Sequence, residues 1–412
     1  MSYICRMTIR QLVTYALFVM AVAIISCNTL LPPSPADDEI LDGMIEGLTA
    51  SQRAMHIRGD EGFNSEIFTP ETGLGPYFVA TSCGSCHAGD GKGHPFTSLV
   101  RFGQTDSTGN IYFDKGGPQL QNRAIPGFMS ETIPSGAASS ILLPPAVTGL
   151  GLIEAVSDED ILTMSDPYDT DGDGISGVPN WNTVPSFVSV RSTSINNNGK
   201  YISRFGRKGS TYDLLQQTVT AYNQDMGITS SFITTNPINI LDAIHPVSSG
   251  GPEVTDEVIN AVVFYLQTLK APIQRNIESD IIKQGKQIFI AIGCEKCHKD
   301  TLKTGDSPIT ELSNKTFHPY TDLLLHDMGS ALDDGYTEGS AKTYEWRTPA
   351  LWGLGLSTAS QGGSYFLLHD GRARSIEEAI LFHGGEGQSS KTKFKELSDD
   401  DKTALIQFLE SL

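Results

Sequence analysis

The chain carries the pentapeptide "CGSCH" at Cys83–His87 and a second, "CEKCH", at Cys294–His298. Two cysteines separated by two residues can form a redox dithiol, half of a zinc site, or the attachment point of a c-type haem. A zinc site of four cysteines draws its pairs from within a few tens of residues, whereas most of a domain separates Cys86 from Cys294. A thioredoxin-like dithiol needs no histidine after its second cysteine, yet both copies have one, His87 and His298. Cys-x-x-Cys-His tethers haem through two thioethers and sets the histidine beneath the iron as proximal ligand. The motifs therefore point to two covalently bound haem c groups, one on Cys83, Cys86 and His87, the other on Cys294, Cys297 and His298.

The other two of the six cysteines, Cys5 and Cys27, lie near the N-terminus. Arg6 and Arg10 precede the apolar run "LVTYALFVMAVAIIS", which is short for a membrane span and meets Cys27. The tetrapeptide "IISC" resembles a bacterial lipobox. This predicts a lipoprotein signal peptide over 1–26, a lipidated Cys27 and a Pro- and Ser-containing tether over 27–44. The chain is then expected in the bacterial cell envelope, lipid-anchored, with the outer membrane as the expected anchor, facing the periplasm or the exterior. No spare structural disulfide remains.

Among 412 residues, 48 acids stand against 29 Lys plus Arg, a net charge of −19. A field of that sign repels nucleic acid and acidic membrane surfaces. It suits a small, basic, soluble electron donor, and it equally confers solubility. The content of 39% hydrophobic and 19% charged residues is that of a folded globular chain.

If each motif anchors a domain, its surroundings should repeat. "PPAVTGLGL" (144–152) follows the first motif and "TPALWGLGL" (348–356) the second. "VTDEVINAVVFYLQTL" (254–269) aligns without a gap to "LSDDDKTALIQFLESL" (397–412). These closing segments read as helices with Thr255 and Ser398 as N-caps, acids in the first turn and one apolar stripe. Before Cys294, "DIIKQGKQIFIAIG" is also helical in period, and Gly285, one turn before Phe289, would let a second helix approach closely. A helix entering Cys-x-x-Cys-His and a closing helix ending in an aromatic-Leu pair resemble the packed terminal helices of class I cytochrome c.

The fold class expected is mainly α: two class I cytochrome c-like haem domains, 45–272 and 276–412. The interval from GLGL to the closing helix is longer in the first by roughly sixty residues, which places an irregular insertion at about 157–252. Within it, "DTDGDGISG" sets Asp169, Asp171 and Asp173 at alternate positions, with the Ile175 carbonyl, as candidate ligands of one Ca2+. Arg204 and Arg207 are candidate partners of haem propionates, or surface charge. Met226 is a candidate axial ligand or a packing residue.

The ordered series "SCGSCH", "LQNRAIPG", "GLGLIEA", "DGDGISG", "DMGITS", "GCEKCH", "PYTDLLLHDMG", "EWRTPALWGLGL" and "LHDGRARSIEEAILFHGGE" resembles the bacterial di-haem oxidoreductase family, often labelled as peroxidase or thiol oxidoreductase. That family is similar to the di-haem cytochrome c peroxidases and to di-haem enzymes that oxidise tryptophan on a partner protein. The resemblance implies one haem with an open sixth position for peroxide and a six-coordinate second haem that feeds it electrons. It also implies calcium near the interface. The related peroxidases carry a ligand Met about fourteen residues after a Tyr-aromatic-His-x-Gly histidine. Here that histidine is His369 and the later position is His383, the expected sixth ligand of the second haem. In the first repeat the matching positions are Ser165 and Pro179, neither able to ligate iron. Glu154, just after the first GLGL, is the candidate acid-base residue for peroxide cleavage.

The reading is a di-haem c-type peroxidase, reducing hydrogen peroxide with electrons that pass from a small carrier through the C-terminal haem to the N-terminal haem. The alternatives are a non-catalytic di-haem electron carrier, or oxidation of a partner protein or organic substrate.

Overall fold

A computed structural model describes residues 36, 38–242 and 251–412. The expected signal peptide, Cys27, most of the tether and the insertion's last residues, 243–250, lie outside them. The chain divides into an N-terminal unit, Met1–Ile40, and a body, Leu41–Leu412. Among the described residues no helix is long and apolar enough to cross a membrane.

In the body, the helices that position the site are α1 (Ala50–Asp60), α2 (Leu150–Glu154), α3 (Leu214–Met226), α4 (Asp256–Thr268), α5 (Asp280–Ala291), α6 (Ile376–Phe382) and α7 (Asp399–Ser411). None of them exceeds 13 residues. Between them run long loops and two-stranded antiparallel ribbons, such as Leu99–Phe102 on Ser139–Leu142 and Leu325–Asp327 on Glu345–Arg347. The expectation of a mainly α body is therefore corrected to a mixed one. Strands of two to four residues leave too short an alternation to be read from sequence.

The repeat appears as a pair of matching helix packings. Thr255 accepts a hydrogen bond from the Val258 N–H and caps α4, and Ser398 does the same from Asp401 for α7. Asp256 and Glu257, and Asp399 to Asp401, lie at the positive ends of their helix dipoles. α1 packs on α4 and α5 on α7 through a glycine each. A Cβ on Gly59 would lie 2.0 Å from the Ala261 carbonyl oxygen, and one on Gly285 2.1 Å from that of Ala404. One turn on, Phe63 meets Tyr265 at 5.6 Å and Phe289 meets Phe408 at 5.4 Å.

The two GLGL turns repeat as closely. Gly149 (φ +70°) donates to the Leu269 carbonyl and Gly353 (φ +68°) to that of Leu412, conformations that favour glycine. Gly151 and Gly355 abut the carbonyls of Gln267 and Glu410, each 1.9 Å from where a Cβ would stand. One apolar core gathers around α3 and α4 and takes in Leu302, Phe317, Leu324 and Trp352 from the second half. A second gathers around α5 and α7 with Leu354, Leu367 and Ile376. Each fully buried large apolar side chain contributes about 1.5–3 kcal/mol, so these cores fix where the helix ends point.

Candidate redox centres

The second motif follows directly from α5. The helix ends at Ala291, Gly293 turns the chain with φ +90°, and Cys294–Lys296 form one 3-10 turn. The His298 N–H closes that turn on the Cys294 carbonyl at 3.0 Å. Nδ1 of His298 donates to the Tyr320 carbonyl (3.0 Å), which leaves Nε2 to act as a ligand. Helix α6, capped by Ser375, delivers His383 at its C-terminal end, where Nδ1 donates to the Ala379 carbonyl (2.8 Å). His298 and His383 line one cavity with Cys294 and Cys297, about 1540 Å³ of atom-free space partly open to solvent. Burial pushes the His298 imidazole down to about 4 and lowers that of His383 also. Both rings are therefore neutral near pH 7, the ligating form.

The cavity walls are mostly apolar: Phe289, Leu351, Leu354, Leu367, Ile376 and Ile380. His369 and Trp346 also line it, stacked at 3.7 Å between centroids and 8° between planes. On the indole lies the Lys208 ammonium, 3.8 Å from the ring centre, held by the Thr343 and Glu345 carbonyls at 2.8 and 2.9 Å. At the Cys297 side, His326 is clamped between Asp322 (2.8 Å) and Glu386 (2.5 Å), with the sulfur 3.6 Å away. Burial pulls the His326 pKa down, but hydrogen bonds with Asp322, Cys297 and Glu386 more than offset this and raise it well above 6.5.

At the first motif the N–H groups of Cys86 and His87 both donate to the Cys83 carbonyl. His87 Nδ1 donates to the Pro145 carbonyl (2.9 Å), and Phe63 lies 5.8 Å from its ring, as Phe289 lies 6.4 Å from His298. Burial pushes His87 down to about 4. Helix α3, from the insertion, approaches the same place: the Val79 and Ala80 N–H groups donate to the Asp225 carbonyl. The Tyr222 hydroxyl, buried beside Cys83, has no hydrogen-bond partner among the described residues. A buried orphan phenol and an imidazole with one free nitrogen fit a polar-edged group such as haem at this site.

Burial and nearby acids push the Cys83 and Cys294 thiols up to about 12 and Cys86 to about 11. Thiols so far from ionisation are poor nucleophiles at neutral pH, which disfavours dithiol exchange.

Three consecutive carbonyls connect the two centres. Leu143 O accepts from Arg207 (2.9 and 2.6 Å), Pro144 O from the Gly93 N–H (3.0 Å), and Pro145 O from His87. The same stretch is tied to the second centre, because the Leu143 N–H donates to the His369 carbonyl at 2.6 Å.

Several sequence-predicted residues take other places. Glu154 is a clamp: one carboxylate oxygen accepts from the Leu214 N–H at the start of α3 (2.8 Å), the other from Gln267 of α4 (2.7 Å). Arg204 is fully buried in an ion pair with Asp158 (2.5 Å) and donates to the Val156 carbonyl, so it is no propionate partner. Met226 packs in the first apolar core, which is the packing alternative. In the acidic loop, Asp169 and Asp171 converge with Asp166, their oxygens within 4.8 Å of one another. Asp173 turns away to Lys296 of the second motif (2.9 Å), and Ile175 lines the cavity. Arg207, His298 and His383 also line that cavity.

Sequence reasoning missed Asp166, the Asp322–His326–Glu386 cluster, and Lys92 and Arg347 on the cavity wall. The one signal was "PYTDLLLHDMG" itself, which contains both Asp322 and His326, the latter a spare ligand candidate from sequence.

Residues 141–412 match the family model described as "Di-haem oxidoreductase, putative peroxidase". The chain belongs to the di-haem oxidoreductase family. Membership implies haem cofactors. The match takes in the second motif and His383, while the first motif lies upstream of it. Among solved structures, a hydrazine synthase of Kuenenia stuttgartiensis pressurised with 20 bar xenon is similar at 16% identity. The similarity covers 93% of this chain and 98% of that one with a TM-score of 0.35, too low to bear on fold or function. No curated protein matches.

Proposed function

We propose that this di-haem oxidoreductase reduces hydrogen peroxide with electrons from a small carrier. In this reading each repeat is a class I cytochrome c-like haem domain. Cys294 and Cys297 would hold one haem by thioethers, with the His298 and His383 imidazoles available to its iron. Cys83 and Cys86 hold the other, with His87 as proximal ligand.

The observation that carries the reading is the asymmetry of the two centres. His298 and His383 share one cavity with both Nδ1 atoms engaged, whereas the side chains beside His87 and Cys83 are the Phe63 ring and the Tyr222 hydroxyl. Bound haem supplies one-electron chemistry and, where its sixth position is open, a place for peroxide. With both His298 and His383 held by the second haem, that centre would serve as an electron relay rather than a peroxide site. At the first, peroxide needs two electrons and two protons to become two waters. The Asp225 carboxyl, pushed up to about 6 by burial, the Glu66 carboxyl, raised by burial, and the Tyr222 hydroxyl are groups near Cys83 able to move protons.

The acidic chain suits a basic donor, and lipid on Cys27 would hold the enzyme at the envelope facing that donor. A calcium ion held by Asp166, Asp169 and Asp171 belongs to the same reading.

Spectroscopy of the purified protein tests it. One high-spin ferric haem that responds to cyanide and peroxide, beside one low-spin haem that does not, is expected. In His383→Ala the second haem should become high-spin. Two unresponsive low-spin haems would leave electron transfer alone, and an unchanged spectrum in His383→Ala would remove that ligand assignment.

A further inference from the structure

Three cations meet on the cavity wall at the second centre: Lys92, Arg207 and Arg347. Their hydrogen bonds go to uncharged groups. Arg207 donates to Leu143 O through Nε and Nη2, and Arg347 donates to the Gly206 carbonyl (3.1 Å) and the Thr348 carbonyl (3.1 Å). None of the three forms an ion pair among the described residues, although the chain is rich in acids.

Arg207 is near enough to act on Lys92 and to feel Arg347 and Asp370, while Arg347 feels Asp322, so each acid acts from a distance without pairing. Burial and Arg347 push Arg207 down to about 10, burial and Arg207 push Lys92 down to about 7, and burial pushes Arg347 down to about 10. Half-buried like charges cost free energy unless an anion joins them. The guanidinium fork matches a carboxylate, which can take two of its N–H groups at once.

Arg207 also reaches the first centre. Its anchor, Leu143 O, stands two residues before Pro145 O, the acceptor of His87 Nδ1.

From these placements we infer that Lys92, Arg207 and Arg347 form a carboxylate-binding seam for haem propionates, in which Arg207 serves both centres and Arg347 only the second. This rests on the di-haem reading above. The seam is a positioning and charge-balancing device, because its residues act on iron only through the propionates. A cation beside a propionate favours the more reduced haem, so its removal should lower that haem's midpoint potential.

The test is a spectroelectrochemical titration of the haem-loaded protein, with bound haem counted after denaturation. Arg347→Gln is expected to lower the midpoint of the second haem alone, and Arg207→Gln to lower both. Unmoved potentials in both variants, with two haems still attached, would overturn the seam. A fall confined to one haem in Arg207→Gln would overturn its shared role. Should Arg207→Gln fail to accumulate, Arg347→Gln and Lys92→Gln decide: a lowered second midpoint supports the seam, and two unmoved ones overturn it. Absence of covalent haem from the unaltered protein is a different result, which defeats the di-haem reading itself.

Discussion

Replacing Gly285 by alanine tests whether close helix packing sets the second motif. The new Cβ would lie 2.1 Å from the Ala404 carbonyl oxygen and 2.6 Å from the Phe408 Cβ. Ordinary contact begins near 3.4 Å, so α5 and α7 must separate by about 1.3 Å or bend. Alanine favours helix over glycine by about 1 kcal/mol. Overpacking a tight core costs about 1–3 kcal/mol, and a clash with backbone, which has no rotamer to change, belongs at the upper end of that range. The net expectation is a loss of about 2 kcal/mol. Gln287→Ala, at an exposed site on the same helix, should stay within about 0.5 kcal/mol of the parent. Denaturant melts followed by tryptophan fluorescence measure both. Because α5 runs straight into Cys294, the spectrum of the second haem should, on the proposed reading, also broaden in Gly285→Ala. A variant as stable as the parent, or more so, would refute the packing argument, and Gly59→Ala in the first repeat should behave as Gly285→Ala does.

Asp158→Ala leaves the Arg204 guanidinium buried without its partner and should cost about 3–5 kcal/mol in a denaturant melt, while the redox potentials of the protein that folds stay unchanged. Glu154→Ala removes acceptors for Leu214 and Gln267 and should cost about 1–3 kcal/mol. If the proposed peroxide reaction occurs at the first haem, stopped-flow mixing should nevertheless find it proceeding at the parent rate. For pH, His326 has a folded pKa raised well above its ordinary 6.5. Its stabilising contribution is complete below pH 6.5 and is lost as pH rises through the folded value. Melting temperature should therefore decline on the alkaline side, and less steeply in His326→Asn.

What the sequence made legible were features that short-range physics repeats. The caps Thr255 and Ser398, the acids after them and the glycine opposite Ala404 each depend on a few neighbours along the helix, so pattern sufficed. The shared cavity of His298 and His383 was legible only through a family resemblance, since the two stand 85 positions apart and spacing alone says nothing of a shared cavity. Arg204 misled because "SRFGRKG" offers two arginines of equal appearance. One turns to Asp158, far back in sequence, and the other to Leu143 O at the cavity. Glu154 misled for a related reason: its partner Leu214 belongs to α3, which the irregular insertion did not announce. Asp173 left the acidic loop because Lys296 was near enough to pair with it, a tertiary contact that alternation within the loop cannot encode.

These corrections concern the same segment. The insertion at about 157–252 was read from sequence as a loop that enlarges the first repeat. In the folded chain it contacts both centres. Its helix α3 brings Tyr222 and Asp225 against the first motif. Its acidic loop joins the second motif through Asp173 and Lys296, and Ser176 donates to Glu386 (2.6 Å), the residue that clamps His326 beside Cys297. Arg207 and Lys208 then reach the cavity wall and the Trp346 indole. Two similar repeats would give two similar haem environments. A segment present in only one of them, yet in contact with both, makes the environments differ, and that difference is what a donor site and a reaction site require.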